Sequence, residues 1–550
     1  MKNLITLSAW MLMTVQVMVY SQEGESNTLT KQTVFIGVED SIKLATNLYL
    51  PEKPGPFPTI LIRTPYNKLG VENNGGESIR QFLKNGWAVV VQDTRGKFES
   101  NGIYEPFMHE RVDGLATLEW IRLQPWCSGK VAGWGGSYVG YTQWAIADQM
   151  DVITPILTSA NMYELVYPEG LYSLATVNNW GLPNGSRTSN TVDPEKLKDS
   201  YLITPLSLAD DSTLMQIDLM DQMLEHPHMD AYWGAMNQRA VTTCPVYSIA
   251  GWYDIFLKAQ ILDFELMEPY RHPDSRLIIG PYAHGQITME TDFGEAGDLR
   301  RYNEPMVTFI KSHFEVTPVK KEQSGPVKPY SFFIMHRNEW IDCEHWPPEN
   351  SVSTAFYLNP GGKMIRQAEE TEKIFEYTYD PTDPYPSIGG TYLGVGVGPA
   401  IQNPNTGRTD QVIFESEVLE KPLVLLGPMD ATLYAATDAP STDFFVSLQE
   451  IRTDGTIINI QEGGKTIYAD CRAAPLPRKI EISLWASGYQ IESGHKIRVV
   501  ISSSLFPRYN RNLNSGEEIF NAQHPRIANQ KIYTGGKFPS HILLPVLNIN

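Results

Sequence analysis

The sequence predicts an α/β domain built on a mostly parallel sheet, interrupted by a helical insertion and followed by an all-β domain. Three observations carry this expectation. In the first half, short apolar runs of strand length alternate with helical stretches, the pattern of a sheet covered on both faces. Between about 151 and 240 that rhythm stops, and amphipathic helical and aromatic segments replace it. From about 351 onward, short β-rich runs separated by Gly, Pro and Asp turns repeat to the end, as in a β-sandwich or jelly roll.

The elements follow in order. Residues 32–50 alternate apolar and polar positions (Val34, Ile36, Val38, then Leu44, Leu48, Leu50), predicting paired antiparallel strands. Thr59–Ile62 and Trp87–Val91 are continuous apolar runs suited to buried parallel strands, separated by helix-like Ser78–Asn85 and followed by Asp113–Leu123. Lys130–Trp134 and Val152–Leu157 are the next strands, with a helix expected over Tyr141–Met150. After the insertion, which holds the amphipathic stretch Leu214–Leu224, the pattern resumes at Val246–Ala250 and Arg276–Ile279, with Tyr330–Met335 as the last strand. Candidate β-domain strands are Ser353–Leu358, Leu423–Leu426, Thr442–Leu448, Ile480–Leu484 and Ile497–Ser502. The expected division is a signal peptide over 1–21, an α/β body over 22–150 and 241–350, a cap over 151–240, and a C-terminal β-sandwich over 351–550.

Bulk properties narrow the function classes. At 550 residues, two or three domains are expected, and 42% hydrophobic with 19% charged residues describes a folded protein. A net charge of -19 and a pI near 5.1 argue against nucleic acid or anionic membrane surfaces as partners. Lys2, the apolar stretch Leu4–Val19 and the permissive Val19-Tyr20-Ser21 before Gln22 read as an export signal, so a periplasmic or secreted protein without a membrane anchor is expected. Cys127, Cys244, Cys343 and Cys471 lack metal-ligand spacing and are read mainly as buried thiols, and His109-Glu110 lacks the second histidine of a zinc helix. No metal or cofactor is expected, and the oligomeric state is left open.

The chemistry-bearing feature is Gly135-Gly136-Ser137-Tyr138-Val139-Gly140, placed between an apolar strand and a helix-like stretch. A serine on a Gly-lined strand-to-helix corner is how α/β-hydrolases expose a nucleophile, although here the second glycine falls three residues after the serine. Such a serine needs a base and a group to orient that base. Asp254 follows one late strand in Gly251-Trp252-Tyr253-Asp254, and His284 follows the next in Gly280-Pro281-Tyr282-Ala283-His284-Gly285, in the chain order Ser, Asp, His. For the oxyanion of a tetrahedral intermediate, the backbone N–H of Tyr138 is one expected donor. A second should come from the early loop Arg63-Thr64-Pro65-Tyr66-Asn67-Lys68, where the Tyr66 hydroxyl and a merely packed ring are both open readings.

Arg63-Thr64-Pro65-Tyr66, Asp93-Thr94-Arg95-Gly96, the corner Gly135–Tyr141 continuing Thr142-Gln143-Trp144, and the Asp254 and His284 loops together resemble the CocE/NonD hydrolases. That group includes cocaine esterase, glutaryl acylases and X-Pro dipeptidyl-peptidases of the S15 type. His226-Pro227 with Asp230 and Tyr232-Trp233 resembles the family's cap signature, and Phe506-Pro507-Arg508 with Arg511-Asn512 and Gly516 the tail of its jelly roll. The resemblance implies Ser137 as nucleophile, His284 as base and then acid, Asp254 as orienter, and Tyr66 hydroxyl with Tyr138 N–H as oxyanion hole. Phe256 matches a position where an aromatic lines the acyl pocket, with core packing as its other reading. Departures are Tyr282 where the family has tryptophan, Ile255-Phe256-Leu257 in place of the carboxylates that α-amino acid ester hydrolases use, and Gly463-Gly464-Lys465-Thr466 in place of a more basic stretch.

The expected function is a secreted serine hydrolase acting on a small ester, amide or short peptide through an acyl-enzyme. The alternatives are an X-Pro dipeptidyl-peptidase, which needs an anionic group to hold the free amine, and a glycan-binding protein with an inert hydrolase body.

Overall fold

The computed structural model describes residues 29–548, apart from 40, 74–75, 212–217, 240–241, 290–292, 316–327 and 469–475. The expected signal peptide, Cys471 and the start of the Leu214–Leu224 stretch lie outside the described residues.

A ten-stranded sheet forms the first layer. Its spatial order is Gln32–Glu39, Ile42–Tyr49, Ala88–Asp93, Phe57–Thr64, Cys127–Gly136, Val152–Ile156, Tyr247–Tyr253, Arg276–Ala283, Tyr330–Ile334, Glu339–Cys343. The first pair is antiparallel, Ile42–Tyr49 meets Ala88–Asp93 antiparallel, and the strands from Ala88–Asp93 through Tyr330–Ile334 run parallel. Their continuous apolar runs are explained by cover on both faces: Ile60, Val89, Val90, Ile249 and Ile279 are fully buried. Glu110–Arg122 and Leu257–Leu266 pack on one face, Glu77–Lys84 and Asn303–Phe314 on the other.

Four sequence expectations need correction. The helix expected over Tyr141–Met150 runs Tyr138–Trp144 and ends where Ile146 leaves helical angles, with a separate 3-10 turn over Ala147–Gln149. The cap boundary at 151 overlaps the expected strand Val152–Leu157; that strand forms as Val152–Ile156, and the cap begins after it. Tyr330–Met335 is not the last strand of its sheet. Glu339–Cys343 turns back antiparallel along its edge, a half-buried segment too short in apolar pattern to stand out. The C-terminal strands are also longer than expected, up to Leu423–Thr437 and Arg478–Ile491; Leu423–Thr437 continues through Gly427-Pro428, where a bulge between Pro428 and Asp430 absorbs what the sequence shows as a turn.

Between Val152–Ile156 and Tyr247–Tyr253 lie the cap helices, among them Tyr163–Val166, Leu174–Asn184 and Asp218–Glu225. From Ser351 the chain forms an all-β domain with an eleven-stranded sheet. The two sheets are joined directly, since Met335 and Tyr489 form a parallel bridge, with the Met335 N–H donating to Gly488 O at 2.9 Å. Among the described residues no helix is long and apolar enough to cross a membrane, and no group of three or more His, Cys, Asp or Glu stands together to hold a metal ion. Cys127, Cys244 and Cys343 are free, and burial pushes the Cys244 thiol up to about 12.

Candidate active site

The corner at Ser137 is strained and tightly held. Ser137 has φ 56° and ψ -132°, a region L-residues rarely adopt and which costs about 1–3 kcal/mol. Its N–H donates to Ile156 O at 2.9 Å on the neighbouring strand. Gln143 pins the turn from the other side, donating to Gly135 O at 2.9 Å and accepting from Thr154 N–H at 2.9 Å. A Cβ on Gly136 would lie 2.8 Å from Ile156 O, and one on Gly140 would lie 2.3 Å from Thr158 Cγ2. The glycine three residues after the serine is therefore required where the helix presses against Thr158, just past the end of the next strand.

Two later strand ends deliver the partners. His284 Nε2 lies 2.9 Å from Ser137 Oγ, and His284 Nδ1 lies 2.8 Å from Asp254 Oδ2. Asp254 is buried, and its other carboxylate oxygen accepts from Phe256 N–H at 2.8 Å. Both loops are braced from the β-domain. Gln461 Nε2 donates to Trp252 O at 2.8 Å, just before Asp254. Gly285–Ile287, immediately after His284, pairs in parallel with Gly394–Val397, so closely that a Cβ on Gly285 would lie 2.1 Å from Gly394 O. A hydroxyl, an imidazole in reach of it and a carboxylate behind the imidazole can together move the serine proton during nucleophilic attack.

The Tyr66 loop arrives from the strand Phe57–Thr64. Tyr66 N–H donates to Thr64 Oγ1 at 3.0 Å, Lys68 N–H to Asp93 Oδ1 at 2.6 Å, and Thr94 N–H to Thr64 O at 3.0 Å. These contacts give the Arg63–Tyr66 and Asp93–Gly96 runs a shared purpose. The Tyr66 hydroxyl reaches the Ser137 side chain and the Tyr138 N–H, and burial raises its pKa while these neighbours and Trp180 pull it partly back. It is thus a protonated donor beside the serine. The Tyr138 N–H is in the first turn of its helix and has no intrahelical acceptor. Its side chain points away from the hole, with the hydroxyl donating to Glu110 Oε1 at 2.6 Å and accepting from Phe107 N–H at 2.9 Å. Glu110 pairs with Arg63 at 2.9 Å, both buried. Burial raises the Glu110 carboxyl pKa against the opposing pull of Arg63 and Tyr138.

A cavity of about 550 Å³, mouth included, opens beside Ser137 and His284. Its walls are apolar: Met162, Val166, Val177 and Met223 from the cap, Phe256 from the body, and Leu393 from the β-domain. Among the described residues that line it, none is a carboxylate. Phe256 has both of its expected properties, since it lines the cavity and stands edge-on to the His284 ring at 5.4 Å.

All six residues expected from sequence, Ser137, Asp254, His284, Tyr66, Tyr138 and Phe256, meet at this one place. Reading the sequence missed Trp180, Leu393 and the Arg63–Glu110 pair. Arg63 stood inside a quoted run, and its place directly after the apolar run Thr59–Ile62 was the available signal. Trp180 and Leu393 carried none. The remaining motifs are structural. Asp230 caps Ala231–Ala235 and holds His226 at 2.6 Å, while Tyr232 stacks on His226. Arg508 is buried against Glu462 at 2.5 Å. Tyr282 folds back over Gly280, and Gly463 and Gly464 allow close packing against Ser483 O and the Phe445 ring.

The fold and this site define a class: an α/β-hydrolase body with an appended all-β domain, a serine hydrolase. A family model described as X-Pro dipeptidyl-peptidase (S15 family) matches residues 40–286, and one for the X-Pro dipeptidyl-peptidase C-terminal non-catalytic domain matches 319–543. A cocaine esterase from Rhodococcus sp. is 31% identical over 574 residues, covering 95% of this chain and 99% of that protein. The chain belongs to the CocE/NonD family of serine hydrolases. Two solved structures share the fold across nearly the whole length. One is an aminopeptidase from a marine sediment Thaumarchaeota archaeon, with TM-score 0.81, 20% identity, and 96% and 99% of the two chains covered. The other is an α-amino acid ester hydrolase with TM-score 0.77, 22% identity, and 96% and 98% covered.

Proposed function

We propose that the chain is an exported carboxylic-ester hydrolase for uncharged, apolar acyl groups. In this reading Ser137 is the nucleophile, His284 the base and then the acid, and Asp254 the residue that orients His284. The observation that carries it is the 2.9 Å approach of His284 Nε2 to Ser137 Oγ at the wall of a cavity whose described lining residues include no carboxylate.

Ser137 Oγ attacks the ester carbonyl as its proton passes to His284 Nε2. Negative charge collects on the former carbonyl oxygen, where the Tyr66 hydroxyl and the Tyr138 N–H stabilise it. Collapse breaks the bond to the alcohol oxygen, which takes the proton from His284 and leaves the acyl group on Ser137. Water then attacks that acyl carbon while giving a proton to Nε2, and release of the acid returns the proton to Ser137. No step uses a metal or cofactor.

The acyl preference follows from the lining. An apolar acyl group gains by leaving water here, at about 25 cal/mol per Å² buried, whereas a free ammonium would lose its hydration with no carboxylate to receive it. The likeness to a cocaine esterase supports ester over peptide chemistry. The test compares nitrophenyl esters of butyrate and benzoate with an Ala-Pro anilide and with an alanine ester. We expect kcat/KM to be highest for the two neutral apolar acyl groups. Preferential cleavage of the Ala-Pro anilide would overturn the reading in favour of a dipeptidyl-peptidase. We also propose that residues 1–21 direct export. Mature protein recovered from outside the cytoplasm should begin at Gln22, and full-length protein retained in the cytoplasm would contradict this.

A further inference from the structure

We propose that Trp180, carried on the cap helix Leu174–Asn184, is a positioning residue of the oxyanion hole, its indole N–H fixing the direction in which the Tyr66 hydroxyl donates. This rests on the reading of Ser137 as nucleophile and adds to it a part for the cap in the chemistry.

The argument is one of donors and lone pairs. An indole N–H can only donate, and a phenol oxygen has one proton and two lone pairs. Trp180 Nε1 lies 3.0 Å from the Tyr66 oxygen, so the tyrosine accepts there. With that lone pair taken and the Tyr138 N–H beside the same oxygen, the phenol proton is left to point toward the Ser137 side, where substrate charge develops. Donation into a phenol oxygen also strengthens the bond that the phenol itself donates.

A second contact ties the same indole to the other donor. Trp180 stacks on the Tyr138 ring at 6.0 Å and 12°, and Phe107 packs against both rings, 4.5 Å from Tyr138 and 5.3 Å from Trp180. The Tyr138 side chain is thereby packed into one three-ring cluster while Glu110 and Phe107 hold its hydroxyl. One indole therefore touches both residues that supply the hole. It also lines the acyl cavity next to Val177, so the acyl group and the oxyanion hole share a wall. Lys97 Nζ donates to Asn184 O at 3.0 Å and Ser186 O at 2.5 Å and fastens the end of the same helix.

The test is a double-mutant cycle on nitrophenyl ester hydrolysis. Trp180→Phe keeps a stacking ring and removes the N–H. Replacing Trp180 with benzothienylalanine keeps the bicyclic ring and removes only the N–H, and serves if the phenylalanine variant does not fold. Either replacement should lower kcat about five- to tenfold with little change in KM. In a Tyr66→Phe background, where the accepting oxygen is gone, the same replacement should change kcat by less than about twofold. Equal losses in both backgrounds, or a loss confined to KM, would overturn the proposal and leave Trp180 as a packing residue. Ser137→Ala run alongside separates the two claims: activity surviving in that variant contradicts the nucleophile assignment itself.

Discussion

At the carboxyl ends of the parallel strands, Ser137, Asp254 and His284 sit on corners whose backbone the sheet dictates, with glycines wherever a Cβ would strike a neighbour. The facing wall of the cavity is built differently. It comes from short cap helices and one β-domain residue, Leu393, joined by side-chain contacts such as Tyr167 Oη to Met223 O at 2.9 Å. The difference teaches where chemistry and selectivity reside. The strand ends fix the reacting groups, and the cap fixes what can be presented to them. Trp180 is one point at which the two regions touch, because it faces the acyl cavity and donates to Tyr66.

Substitutions on either side of this divide should therefore fail in different ways. The largest effect of those considered next should come from Tyr66→Phe, which removes one donor from the oxyanion hole. It should lower kcat by about 10²–10³-fold with KM nearly unchanged, as measured by steady-state ester hydrolysis. A change mainly in KM would assign Tyr66 to substrate binding instead. Next comes Gly285→Ala, whose Cβ would lie 2.1 Å from Gly394 O. Forcing the two strands apart moves the loop that carries His284, and kcat should fall by about 10- to 100-fold while acyl selectivity stays the same. Unaltered kcat would show that the β-domain does not brace the histidine.

On the cap side, Met223→Ala should act on selectivity. Met223 is buried and lines the cavity, so truncation enlarges the acyl site. The ratio of kcat/KM for a bulky acyl ester over acetate should rise by about tenfold, while the rate on small acyl groups changes little. An equal fall for all esters would place Met223 with the chemistry rather than with recognition.

The smallest effect is expected in the β-domain, at a residue that does not line the cavity. Burial raises the Asp443 carboxyl to about 6 in the β-domain, with Asn512 Nδ2 donating to it at 2.9 Å. Because the folded state holds this proton more tightly than the unfolded state, its contribution is present at low pH and lost as pH rises from the unfolded value of 3.8 through about 6. Asp443→Asn removes that dependence and should raise Tm by about 2 °C or more at pH 7, with no gain at pH 4 and no change in kcat/KM. An equal gain at both pH values would contradict the linkage.

The same divide governs how much could be read from the sequence. The parallel strands were legible because burial on both faces leaves continuous apolar runs, and the three strand-end loops stood out because each carries glycine with one titratable or nucleophilic residue. Ser137, Asp254 and His284 are far apart in sequence, yet their chain order and their places at strand ends, with the family resemblance, predicted their meeting. Trp180 and Leu393 were not legible. Their neighbours come from elements whose placement depends on side-chain packing, and an aromatic within an apolar helix looks the same whether it donates to a tyrosine or only fills a core. The edge strand Glu339–Cys343 was missed because half-exposed residues lack the apolar run that marks its parallel neighbours.

The most direct test of the account is covalent labelling of the native enzyme with a fluorophosphonate, followed by peptide mass mapping. The account predicts one phosphonylated site, Ser137, with labelling abolished in Ser137→Ala and slowed strongly in His284→Ala. Ester hydrolysis that persists after complete modification of Ser137, or a label found on another residue as activity is lost, would contradict it.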